Sequence, residues 1–151
     1  MIKELPHSYP YMGTSVPFER TLMQIESLLK KFGCSKTAKQ DDSQDPTLPM
    51  ITLLFQHGQR SYIIEFPIVY EVMRKGPKRL RMDVSARIMH DYVKSLLIIA
   101  EVMGFDVALS PLLLLRDKAG NSKPMYEAVV EHADQLASGG FDLLALPEAR
   151  R

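Results

Sequence analysis

Apolar residues recur at steps of three and four over Phe18, Leu22, Ile25, Leu29 and Phe32, which predicts an amphipathic helix from about Pro17 to Phe32. Ser15 is placed to cap it, and Pro17 sits in the first turn, where its missing N–H costs little. Lys30 and Lys31 suit the negative end of the helix dipole, and Gly33 can close the helix in the left-handed conformation. The period then drops to two. A strand is expected around Cys34–Lys39, ended by the acidic turn Asp41–Pro46. Ile51, Leu53 and Phe55 alternate, His57-Gly58 forms a turn, and Tyr62, Ile64 and Phe66 alternate again. That pattern predicts an antiparallel hairpin with its apolar side on a helix layer. Pro67 ends the second strand or places it at an edge.

Val69 to Lys75 is expected as a short helix before the Gly76-Pro77 break. A long helix should start at Asp83 as N-cap and run to about Met103, with Gly104 ending it. Val84, Ile88, Tyr92, Leu96, Ile99 and Met103 line one side, and Met89, Val93 and Leu97 widen the apolar face. Val107 to Leu115, broken by Pro111, is a short buried strand or an irregular packed segment. Ser122 to about Leu136 reads as a further helix with Met125, Val129 and Ala133 inward. Ser138-Gly139-Gly140 is a hinge before the apolar tail Phe141–Pro147, which must dock on its own core or on a partner. Residues 1–14 favour extended and turn conformations and read as an irregular N-terminal arm. Its Tyr9 and Tyr11 either dock on the domain or face a partner. The expected organisation is this arm followed by a single α+β domain over 15–151. That domain holds an N-terminal helix, a three-stranded antiparallel β-meander, a long central helix and a smaller C-terminal helix with an apolar tail.

Composition narrows the function classes. A chain of 151 residues that is 46% hydrophobic suits one core. The formal net charge of +1 creates no strong overall field, so a polyanion would have to be engaged by a local patch. One cysteine, Cys34, excludes an intramolecular disulfide, a CxxC pair and a thiolate zinc site. Met1 to Pro6 has no apolar run of the signal-peptide kind, and Leu96 to Ala100 is too short to span a bilayer. The expectation is a cytoplasmic protein without a membrane contact.

Charge does concentrate in one place. Arg74-Lys75-Gly76-Pro77-Lys78-Arg79-Leu80-Arg81-Met82-Asp83 is a Gly-Pro turn with cations on both sides, leading into the long helix. Over residues 74–94, Arg74, Lys75, Lys78, Arg79, Arg81, Arg87 and Lys94 stand against Asp83 and Asp91. Cations beside a helix N-terminus can pair with phosphates, and Gly76 would let the backbone approach closely. Lys75, Lys78, Arg79, Arg81 and Arg87 are therefore the candidate nucleic-acid contacts, with either DNA or RNA. The spacing is not that of a phosphate loop, since neither GxxxxGK[ST] nor GxGxxG occurs, and a solvated loop or a protein-facing surface has the same composition. The order helix, three strands, helix matches that of a double-stranded-RNA-binding domain, by order alone and without the GxxKKxAK pattern.

Enzyme chemistry finds little support. His57 reads as a solvated turn residue, and His90 and Asp91, adjacent on a helix, should not face each other. Glu127 and Glu131, four apart with His132 next, read as a solvated face in preference to a metal site. Asp41, Ser43 and Asp45 lack the glycine and terminal glutamate of a calcium loop. No GxSxG elbow occurs, and Cys34 follows a helix C-terminus, where the dipole disfavours a thiolate. No cofactor is implied, and a non-enzymatic role is expected.

Three blocks carry a resemblance. They are Ser15–Thr21 with Ile25–Leu29 and Phe32-Gly33, then Ala86–Leu97, then Leu113–Leu115 with Lys123–Glu127 and Leu144–Pro147. In these the chain resembles a group of small proteins of tailed phages and prophages that carry no established activity. The resemblance implies a phage or mobile-element origin and an α+β layout, and it brings no catalytic residues. The look-alikes are acidic where this chain has Val102-Met103-Gly104-Phe105. Two roles remain open: an accessory protein contacting nucleic acid through the basic segment, or an adaptor or inhibitor docking on a protein partner by its apolar C-terminal tail or its Tyr9–Tyr11 arm.

Overall fold

A computed structural model describes residues 3–116, 118–133 and 135. Helix α1 (Phe18–Lys31) buries Leu22, Ile25 and Leu29, the stripe its spacing predicts. Strands β2 (Ser35–Asp42), β3 (Met50–His57) and β4 (Arg60–Pro67) form an antiparallel meander in the order β2-β3-β4. Ile51, Leu53 and Phe55 of β3 and Tyr62 and Ile64 of β4 face one core. Helix α2 (Met82–Met103) closes that core with Met89, Val93 and Leu97. The domain is thus two helices layered on one face of a meander, the α+β architecture expected.

The hairpin turn lies one residue later than the spacing suggests. His57 pairs with Arg60, and Gly58 takes the first central position at φ 60°, as a type II′ turn requires. His57 is therefore not a solvated turn residue. Its ring stacks on Phe105, with centroids 3.8 Å apart, and Arg60 reaches Asp106 at 2.9 Å. Both contacts tie the hairpin to α3 (Phe105–Ala108).

The main departure from the pattern is a second sheet. Val69–Val72 is strand β5, not a helix; it pairs in parallel with β1 (Lys3–Pro6) and antiparallel with β6 (Arg79–Arg81). β-branched Val69 and Val72 and aromatic Tyr70 favour a strand, and the partners supply its backbone hydrogen bonds. The N-terminal arm is accordingly not irregular throughout. Met12 is buried with Val69 and Val84 in a small second core. Tyr11 donates a hydrogen bond from its hydroxyl to Asp91 at 2.7 Å.

Beyond α2, a 3-10 turn (Ser110–Leu112) and strand β7 (Leu114–Arg116) resolve the two readings of 107–115 into a mixed segment. β7 pairs with β8 (Ser122–Pro124), and helix α4 spans Met125–Glu131. Val129, expected inward, is exposed. The Ser138–Gly140 hinge and the tail Phe141–Pro147 lie outside the described residues. No helix among the described residues is long and apolar enough to cross a membrane.

Candidate nucleic-acid interface

The basic segment divides in two along the pleat of β6. In a strand, neighbouring side chains point to opposite faces and next-nearest ones to the same face. Arg79 and Arg81 therefore share a face, yet Arg79 is exposed and Arg81 is 6% exposed. Arg81 lies deeper because its register partner is Val69, beside the second core, whereas Arg79 pairs with Glu71 next to the loop. The Arg81 guanidinium donates to Glu71 at 2.5 Å, to Asp83 at 3.0 and 3.2 Å, and to the Met12 carbonyl at 3.0 Å. Glu71 is 1% exposed and also meets the His7 imidazole. His7 and Arg81 together hold the Glu71 carboxyl below its ordinary range. Arg81 is thus a structural cation that fastens the arm and the first turn of α2 to β5. It is removed from the set of candidate contacts, because a phosphate could reach it only by breaking this network.

Asp83 does not cap α2 from outside. It sits in the first helical turn, accepts from the Val84 N–H at 2.9 Å and pairs with Arg81. Arg87 is turned toward α1, where it donates to Gln24 at 3.0 Å. His90 and Asp91 do meet, with Nδ1 2.9 Å from Oδ1, although they are sequence neighbours. Together with Tyr11 on Asp91, these contacts make the Arg87 side of α2 part of the junction with α1 and the arm.

What remains is the loop Met73–Lys78 between β5 and β6, exposed at every position, with Arg79 at its far end. Gly76 turns it at φ 102°, where an L side chain is strained, and a Cβ there would meet nothing within 4 Å. The glycine is needed for the backbone, not for space. Lys78 pairs with Glu4 of β1. Arg74, Lys75 and Arg79 have no acidic partner among the described residues.

Beside the loop lies a feature that spacing did not reveal. Pro6, His7, Ser8, Val72, Met73 and Arg74 line a cleft of about 410 Å³. It exists because β1 pairs in parallel with β5, bringing Pro6 opposite Val72. The sequence signal was faint: a proline and a histidine at the end of a short strand whose partner lies more than sixty residues away.

No family model matches this chain, and neither does any curated protein or solved structure.

Other candidate chemistry stands as follows. Burial pushes the Cys34 thiol up to about 11, away from nucleophilic use at neutral pH. Glu131 pairs with Lys123 at 2.5 Å. Glu127 meets Glu65 of β4, and burial together with that second carboxyl pushes Glu65 up to about 7. This carboxylate pair, 62 positions apart in the chain, was invisible to spacing arguments. Among the described residues no three His, Cys, Asp or Glu side chains gather as a metal cage. The order of a double-stranded-RNA-binding domain is interrupted here by β5 and β6, which lie between the meander and α2 and pair with β1 in a second sheet.

Proposed function

We propose that this chain is a small non-enzymatic accessory protein of a phage or mobile element that contacts nucleic acid through the β5–β6 loop. The observation that supports this reading is the trio Arg74, Lys75 and Arg79: exposed, on one loop and without an acidic partner among the described residues. Unpaired cations release condensed counterions when they meet phosphates, which drives binding without sequence information. The test is fluorescence anisotropy with duplex DNA, duplex RNA and single strands across a salt series. Three neutralised phosphates predict a loss of roughly 20- to 40-fold in affinity between 50 and 200 mM salt. R74E/K75E/R79E should abolish binding while leaving the thermal transition in place. Absence of binding at low salt would sink the reading, because the electrostatic contribution is largest there.

A second reading rests on a different surface. Ile98, Ile99, Val102, Met103 and Val107 are all exposed at the end of α2 and on α3, Val102 at 85%. The first four are spaced so that they share one side of the helix. An exposed apolar face of this kind fits a protein partner. The Tyr9–Tyr11 arm supports that reading less, since Tyr11 is engaged by Asp91. Docking here would be nearly independent of salt and would be lost in V102D, and in L144D if the tail Leu143–Pro147 takes part.

A further inference from the structure

We infer that the cleft beside the loop takes an unstacked nucleobase, so that the polyanion is single-stranded nucleic acid. This rests on the proposed contact through Arg74, Lys75 and Arg79 and names its substrate class.

Pro6, Val72 and Met73 form apolar walls, and Val72 and Met73 are about 40% exposed, so apolar surface is left to water. His7, Ser8 and Arg74 supply the polar part of the lining. The Ser8 hydroxyl can donate or accept. His7 gives Nδ1 to Glu71 and keeps Nε2 uncommitted among the described residues. The volume of about 410 Å³ lies at the small end of the range, roughly 300–1,000 Å³, of small-molecule clefts. A mainly apolar lining with a few polar groups suits a heteroaromatic ring better than a phosphate, whose oxygens need donors on several sides.

The cleft and the cationic loop are continuous. Arg74 lines the cleft and also begins the cationic loop, with Lys75 next to it. A strand whose phosphates run along Arg74, Lys75 and Arg79 brings a base to the cleft mouth. A duplex keeps its bases stacked inside and would have to flip one out to fill the cleft, whereas a single strand offers bases already unstacked. The loop can stay in place as the base enters, because β1, β5 and β6 hold its two ends and Lys78 is tied to Glu4.

The experiment compares two single strands of equal length and equal phosphate number, one carrying bases and one abasic throughout, in both the deoxy and ribo series. Each is titrated by anisotropy at two salt concentrations, beside an intact duplex. The expected result is affinity about fivefold higher for the base-bearing strand than for the abasic one, the effect of removing a few tens of Å² of apolar surface from water. The difference should shrink toward unity in V72T/M73S, which keeps every charge and alters exposed positions. Its thermal transition, measured alongside, should match that of the unmodified chain. Equal, salt-steep binding of base-bearing and abasic strands would overturn the cleft assignment while leaving the phosphate contact standing. Loss of all binding, duplex and single strand alike, would overturn both. A preference for the deoxy or ribo strand identifies the nucleic acid.

Discussion

Arg79 and Arg81 share a face of β6 two positions apart, yet the structure uses them in opposite ways. Replacing Arg81 by Ala leaves the buried Glu71 carboxylate with only His7 to balance it. Breaking a buried pair from one side costs about 3–5 kcal/mol, because the remaining charge cannot reach water. Arg79→Ala, at an exposed position, should stay within about 0.5 kcal/mol. Urea denaturation of the two variants checks both values, and equal effects would remove Arg81 from the structural network. Acid gives a second reading of the same group. Glu71 titrates below its ordinary 4.5 in the fold, so its contribution is present above that pH and is lost as pH falls through the lower folded value. Unfolding midpoints should therefore drop below about pH 4.5, and the drop should be blunted in E71Q. The sequence displays a run of cations but not this division, because the pattern around Gly76-Pro77 is that of a loop and hides the strand that carries Arg81. The clue was Glu71, an acid in the otherwise apolar stretch Val69–Val72, which calls for a cation once that stretch is a strand.

The elements that were legible are those whose partners are near in sequence. Helix α1, the β3–β4 hairpin and helix α2 each carry their period within one segment; for α1 and the hairpin the packing follows from it, whereas α2 turns Met89, Val93 and Leu97 inward and leaves Tyr92, Ile99 and Met103, expected on its apolar side, exposed. β1 and β5 are short, and their pairing joins residues 3–6 to residues 69–72. No local period announces a parallel pair so far apart, which is why β5 looked like a helix and the arm looked irregular. The candidate site divides the same way: the cations of the loop were visible, while the cleft depends on that distant pairing. Helix α2 shows a third kind of gap. Its apolar residues exceed what one core accepts, so Met89, Val93 and Leu97 go inward while Ile98, Ile99 and Val102 remain at the surface. Helix α4 carries its own titration. Glu65 on β4 is raised to about 7 by burial and by Glu127 on α4, so the fold holds a proton that the unfolded chain has lost. Stability should fall as pH rises from about 4.5 to about 7 and then level off. E65Q removes the repelling charge. It should melt above the unmodified chain at pH 8 and alongside it at pH 4.5, and an unchanged difference across that range would separate the two carboxyls.

At the scale of the whole molecule, charge is nearly balanced, and that makes the local patch testable. R74E/K75E/R79E moves the formal net charge from +1 to −5, since each reversal removes two units. A global field would weaken binding to a polyanion after any change of that size, wherever it was made. Lys31, Lys94 and Lys118 are also exposed and lie outside the loop, and reversing all three gives the same net charge. If the loop makes the phosphate contacts, the first variant loses both affinity and salt slope, because Lys78, paired with Glu4, is the one cation the loop keeps. The second should keep the slope near its original value and lose affinity only modestly, by an amount that vanishes as salt rises toward the point where the Debye length is a few ångströms. Equal losses in the two variants would mean that no single surface carries the contact. A slope that survives loop reversal but falls with the distal set would move the contact off the loop to that set, of which Lys31 lines a separate groove with Arg20 and His90.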